Sequence, residues 1–86
     1  SASPIEAMKM NTTVICSNYP FVREVCQDSA FYFDPLNADT IAKEIHYALT
    51  SPDVSAFKRN LGKKIVDNLP SARERAFAYL KVLLEE

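Results

Sequence analysis

Two short runs, residues 13–17 (Thr-Val-Ile-Cys-Ser) and 30–33 (Ala-Phe-Tyr-Phe), lie either side of one short helical stretch. This spacing constrains the fold more than any other feature of the chain. Both runs are rich in β-branched or aromatic residues and almost uninterrupted by polar ones, the pattern of strands buried on both faces. Strands joined through a helix come back to the same end of a sheet, so they run parallel. Two strands alone rarely make a stable sheet, because three or more are usually needed to bury a face. The expectation is a piece of a larger α/β sheet whose other strands come from chain ahead of Ser1 or from a partner.

The rest reads as helix. Residues 4–10 form a first helix, broken by Asn11 and Thr12, and Pro20 starts a second over 20–26 with Phe21, Val22 and Val25 turned inward. Gln27-Asp28-Ser29 turns the chain, and Asp34-Pro35 closes the second strand, since proline cannot continue a central ladder. Asn37 or Asp39 caps a helix with Ile41, Ile45, Ala48 and Leu49 on one stripe. Ser51-Pro52 opens the next, with Val54, Phe57, Leu61 and Ile65 as its stripe and the single glycine, Gly62, inside it. Pro70 ends that helix, and Ser71 with Glu74 forms a capping-box pair for a last one, whose inner side carries Ala76, Phe77, Leu80, Leu83 and Leu84. The order is α-β-α-β-α-α-α.

Charge excludes some functions. Ten basic residues against eleven acidic ones leave a net charge of -1, and no basic run supplies the phosphate contacts of a nucleic-acid binder. No apolar stretch approaches the roughly 20 residues of a membrane-spanning helix. Cys16 and Cys26 form no C-x-x-C pair and the lone His46 completes no zinc site with them, so both read as buried or half-buried free thiols in a reducing compartment. His46 and Glu24 read as solvated, and Phe31, Tyr32 and Phe33 as core and interface. Lys58, Arg59, Lys63 and Lys64 make a modest basic face on one helix. A solvated face is the default reading; attraction to an acidic membrane surface is the alternative.

The first helix carries the candidate chemistry. Ser3 suits the N-cap and Pro4 the first helical position. A helix start gathers free N–H donors and favours an anion. Glu6 has two readings: Ser3-x-x-Glu6 is a capping box, with the carboxylate reaching back to the Ser3 N–H, or Glu6 faces a ligand.

Read in order, the motifs resemble those of the family 4 (group 1) glycosyltransferases of two-domain GT-B architecture. Glu6-Ala7-Met8 matches the second acid of the family's E-x7-E and its neighbours, and Thr13 to Ser17 the strand after it. Arg23-Glu24-Val25 matches a P-E-V, Phe33-Asp34-Pro35-Leu36-Asn37 a D-P turn, and Ile41-Ala42-Lys43-Glu44-Ile45 the helix beyond. Asn11 stands where the family usually has glycine, and Thr13 where it has proline. The first acid of E-x7-E would lie ahead of Ser1, as would the bases that neutralise the diphosphate.

The resemblance implies a partial Rossmann-like, α/β fold: two parallel strands with flanking helices, in which 1–69 belong to the donor-binding domain and 70–86 form a C-terminal helix. It implies that Glu6 accepts from the ribose hydroxyls of a nucleotide-sugar donor, with the backbone N–H groups of Ala2 and Ser3 near its distal phosphate. It implies a retaining transfer of a hexosyl group from a nucleotide-diphosphate sugar to a saccharide or other hydroxyl acceptor, without metal or further cofactor. The 86 residues alone should be inactive. Expected partners are the upstream part of the same enzyme and the donor; unpaired strands invite self-association. The expected setting is cytoplasmic, with peripheral contact at the inner membrane face left open. The alternative is a non-catalytic helical interaction module.

Overall fold

A computed structural model describes residues 3–70 and residue 74. Its elements follow in chain order as α1 (Ser3–Lys9), β1 (Val14–Ser17), α2 (Pro20–Cys26), a 3-10 turn (Gln27–Ser29), β2 (Ala30–Phe33), α3 (Ala38–Thr50) and α4 (Pro52–Asp67). The two strands are parallel neighbours in register, Val14 opposite Ala30 and Ser17 opposite Phe33. This is the expected α/β arrangement, a partial Rossmann-like unit with helices flanking parallel strands. Helix α1 begins at Ser3, one residue earlier than the capping signal implies. The Ser71–Glu74 capping box and the last helix fall outside the described residues except for Glu74, which is helical.

The end of α1 explains how the chain tolerates asparagine where the resemblance leads one to expect glycine. Asn11 has φ 57°. Its N–H donates to the Met8 carbonyl and the Thr12 N–H to the Ala7 carbonyl, both within about 3.1 Å. That pair of bonds is a Schellman cap, which needs a left-handed residue at this position. Asparagine is the side chain that tolerates this conformation best after glycine. Thr13, the other departure, accepts from Arg59 Nη1 at 3.1 Å, tying the start of β1 to α4.

Residues alternate faces along a strand. On one face Val14 and Ala30 pack with Met8, Cys26 and Val66 into the core, with Cys16 and Tyr32 against it. On the other face Phe31 is buried and meets Tyr47 of α3 edge-on, ring centroids 5.5 Å apart. Three expected inward stripes are only partly inward. In α2 Cys26 is buried and Val22 half-buried, whereas Phe21 and Val25 are exposed. The i, i+4 pair Val22 and Cys26 faces the core, and in this helix of two turns Phe21 and Val25 fall beside that pair on the exposed side.

In α3 only Ala48 of the expected four is buried; the helix packs on β2 and α4, and Ile45 and Leu49 line an open groove with Thr13 and Ile15 rather than a closed core. In α4 Phe57 is exposed and the buried residues are Ser55, Gly62 and Val66. Small side chains win there because α1 and the 3-10 turn come close. A Cβ at Gly62 would stand 3.4 Å from both Met8 Cγ and Ser29 Cβ. The Ser55 hydroxyl is satisfied by donating to the Ala48 carbonyl at 2.7 Å.

The basic face of α4 is also divided. Lys58 is half-buried and its Nζ donates to the carbonyls of Asp28 and Ala30 at 3.0 and 3.1 Å, lying 5.1 Å from the centre of the Phe31 ring. Lys63 pairs with Asp67 at 2.9 Å. These partners hold two of the four cations to the protein's own surface. Arg59 is held to Thr13, as described above. No helix among the described residues is long and apolar enough to cross a membrane.

Candidate functional site

In an open parallel sheet, ligands bind outside the carboxyl ends of the strands, where loops and helix starts converge. Here that end is formed by Ser17-Asn18-Tyr19 after β1 and Phe33-Asp34 after β2. A cleft of about 580 Å³ opens there and continues down β1. Its lining includes Pro4 and Ala7 of α1, Ser17, Tyr19, Phe21 and Phe33. All five residues from Thr13 to Ser17 also line it. Successive strand residues point to opposite faces, so a surface touching all five follows the strand's edge. Among the described residues that edge of β1 is unpaired, since β2 takes the other. Most of the cleft is therefore this open edge, and the part at the carboxyl ends of the strands is its head, lined by Ser17, Tyr19 and Phe33.

Glu6 is exposed on α1, in the turn that gives Pro4 and Ala7 to the cleft wall. Its carboxylate makes no hydrogen bond or ion pair with another described residue. Ala2 lies outside the described residues, and Ser3 stands at the first position of α1. Glu24 and His46 are exposed, as their spacing predicts. Asp34 is used structurally: its carboxylate accepts from the Leu36 N–H at 2.9 Å and its carbonyl from the Thr40 hydroxyl. The cap of α3 is Asn37, whose Oδ1 accepts from the Asp39 N–H at 3.1 Å. No group of three or more His, Cys, Asp or Glu is placed to hold a metal among the described residues.

Two residues with site character were assigned by sequence reasoning to other roles or to none. Tyr19 and Phe21 are exposed at the head of the cleft, their rings stacked at 5.8 Å and 7°. The signal was the Tyr-Pro-Phe step directly after a strand, where an aromatic pair meets the carboxyl end of the sheet. Behind them, Arg23 donates from Nε to Asn18 Oδ1 and places its guanidinium carbon 4.3 Å from the Tyr32 ring centre.

Cys16 and Cys26 are both free thiols, half-buried and buried. Burial raises the Cys16 thiol to about 11, helped by the adjacent Cys26 and opposed by Arg23. Cys26 is also raised, again by burial. The Tyr32 hydroxyl is pushed up to about 12, mainly by burial. A raised folded-state value favours the protonated form, so this contribution to stability is intact below pH 9 and fades between pH 9 and about 11. Alkylation of Cys16 by iodoacetamide should be slow at pH 7.5 and accelerate about tenfold per pH unit up to pH 10. A rate already level by pH 9 would contradict the burial argument. Peptide mass mapping reads the site.

The parallel strands and the motif order around Glu6 agree with a wider comparison. A family model described as Glycosyl transferases group 1 matches residues 2–66. The chain belongs to that family. Its general chemistry is therefore glycosyl transfer, and α1, β1, α2, β2, α3 and nearly all of α4 lie inside the match. No curated protein and no solved structure matches the chain.

Proposed function

We propose that this group 1 glycosyl transferase chain is part of the donor-binding half of a GT-B enzyme. That enzyme moves a hexosyl group, with retention, from a nucleotide-diphosphate sugar to a saccharide or other hydroxyl acceptor. In this transfer the anomeric carbon's bond to the diphosphate breaks and one to the acceptor oxygen forms. The acceptor's proton leaves with the diphosphate. What supports the reading is that Glu6 is exposed and without a partner among the described residues, on the helix whose Pro4 and Ala7 line the cleft at the carboxyl ends of the parallel strands, although Glu6 itself is not one of the lining residues.

A carboxylate there accepts two hydroxyl hydrogen bonds from a ribose and holds the donor without joining the bond-breaking step. In this reading the N–H groups of Ala2 and Ser3 face the distal phosphate and steady the negative charge that grows as it leaves. The open edge of β1 accepts a further strand, from the rest of the enzyme or a second copy. The 86 residues alone bind donor without turning it over.

Titration with UDP, GDP and ADP tests this. At least one should bind at millimolar concentration or below. Glu6→Gln should weaken that binding about tenfold, the scale of one hydrogen bond to a charged group, and leave Tm unchanged. Lower Tm with unchanged binding would assign Glu6 to its own helix cap. Absence of binding by all three would remove the donor-site reading and favour an interaction module.

A further inference from the structure

We propose that Cys16 and Cys26 are a reversible dithiol–disulfide pair, a catch that fastens α2 to β1 when the chain is oxidised. It stands apart from the donor reading, which uses neither thiol. Cys16 is the third residue of β1 and Cys26 the last of α2. The chain leaves β1 at its carboxyl end and α2 runs back over the sheet, so the end of the helix returns to the strand. Cys16 shares the strand face that Val14 turns to the core, and it packs against the cluster that holds Cys26. The two side chains meet there: the Cys16 thiol donates a hydrogen bond to the Cys26 sulfur.

A disulfide requires two side chains that converge, and thiols that point apart cannot be bridged without moving the backbone. Sulfurs already in hydrogen-bond contact have only to close to about 2 Å. The two differ in access. Cys16 is half-buried and lines the cleft along β1, whereas Cys26 is 0% exposed. An oxidant therefore meets Cys16 first, and Cys26 waits behind it as the second thiol. Burial holds both protonated, and Arg23 opposes that at Cys16. Exchange is accordingly slow at neutral pH and quickens as pH rises, because the thiolate is the nucleophile.

The oxidant is a small disulfide such as glutathione disulfide. The Cys16 thiolate attacks one of its sulfurs, and the first glutathione leaves as a thiolate. The Cys26 thiolate then attacks Cys16 in the mixed disulfide, and the second glutathione leaves. One S–S bond forms in the protein and one breaks in glutathione. Two electrons pass to glutathione, and the two protons from the cysteines end on its thiols. The new bond closes a short loop that contains Asn18, Tyr19 and nearly all of α2. It restricts the unfolded chain and ties the helix to the strand beneath it.

Equilibration of the 86-residue chain with mixtures of reduced and oxidised glutathione tests the pair, after an acid quench and alkylation in urea. By intact mass the oxidised chain should be lighter by two hydrogens and carry no alkyl group. Peptide mapping should find Cys16 joined to Cys26, and dithiothreitol should return both to the alkylated form. The equilibrium constant against glutathione should be about thirtyfold higher or more for the folded chain than in urea, the low end of typical disulfide stabilisation. The oxidised chain should melt at least about 5 °C above the reduced one. Cys16→Ala, at the half-buried position, should keep the fold and form no bridge, leaving Cys26 alkylated. Two thiols that stay reduced in oxidised glutathione would overturn the proposal. So would a mixed disulfide that accumulates on Cys16 in the parent chain, or bridges formed only between chains. A constant no higher than in urea, or equal melting of the two forms, would show that the fold does not bring the thiols together.

Discussion

Replacing Met8 with alanine should lower stability by about 2–5 kcal/mol, the range for deleting a buried methionine side chain. Met8 is 2% exposed and is one of the two largest fully buried side chains among the described residues. It is also the contact through which α1 rests on α4, over Gly62. The loss should appear as a lower urea midpoint. Because Glu6 rides on the same helix, nucleoside diphosphate affinity should fall with it. Met8→Leu conserves volume and should cost less than about 1.5 kcal/mol. A midpoint for Met8→Ala no lower than that of Lys9→Ala, on the exposed side, would show that α1 does not depend on this packing.

Gln27→Gly should act in the opposite direction, raising stability by about 1–2 kcal/mol. Gln27 sits at φ 52° and ψ -133°, a region that suits glycine and strains any side chain. Its neighbours impose the geometry. Cys26 on one side and Ser29 two residues on are buried, the Gln27 N–H donates to the Arg23 carbonyl, and its carbonyl accepts from the Tyr32 hydroxyl at 2.5 Å. The side chain itself is exposed, so its removal costs no packing. In a domain of this size each 1 kcal/mol moves Tm by roughly 4–8 °C. Gln27→Ala keeps the Cβ and should give none of this gain. Equal Tm values for the glycine and alanine variants would count against strain at this turn.

The two results concern the same small structure from both sides. α1 holds a candidate donor-binding acid by packing on α4. The 3-10 turn seats β2 against the same helix, with Lys58 bonded to the Asp28 carbonyl within the turn and the Ala30 carbonyl just after it. Gly62 serves both contacts, since its missing side chain leaves room for Met8 and Ser29 together. A side chain larger than a methyl at that position would therefore press on α1 and the 3-10 turn at once.

Much of this was legible in the residues. Thr13 to Ser17 and Ala30 to Phe33 read as strands because local preference and a continuous apolar run agree there. Pro20, Pro52 and Asn37 mark helix starts through backbone geometry and a side-chain cap, which depend on few neighbours. The parallel pairing follows from the helix between the strands. The family is carried by short motifs whose order and spacing survive even where Asn11 replaces glycine, because asparagine can adopt the same left-handed turn.

The buried faces were not legible. Periodicity says that a helix has an apolar stripe, but not what lies opposite it. Phe21, Ile45, Leu49 and Phe57 each belong to such a stripe and are exposed, because a sheet only two strands wide cannot cover them all. Ser55 and Gly62 are buried in their place, chosen by size where helices approach closely. Local order came from the chain itself, since capping, turns and strand preference act over a few residues. Which side chains face inward, and whether Tyr19 and Phe21 stand free at the cleft, depended on how far each element could approach the next.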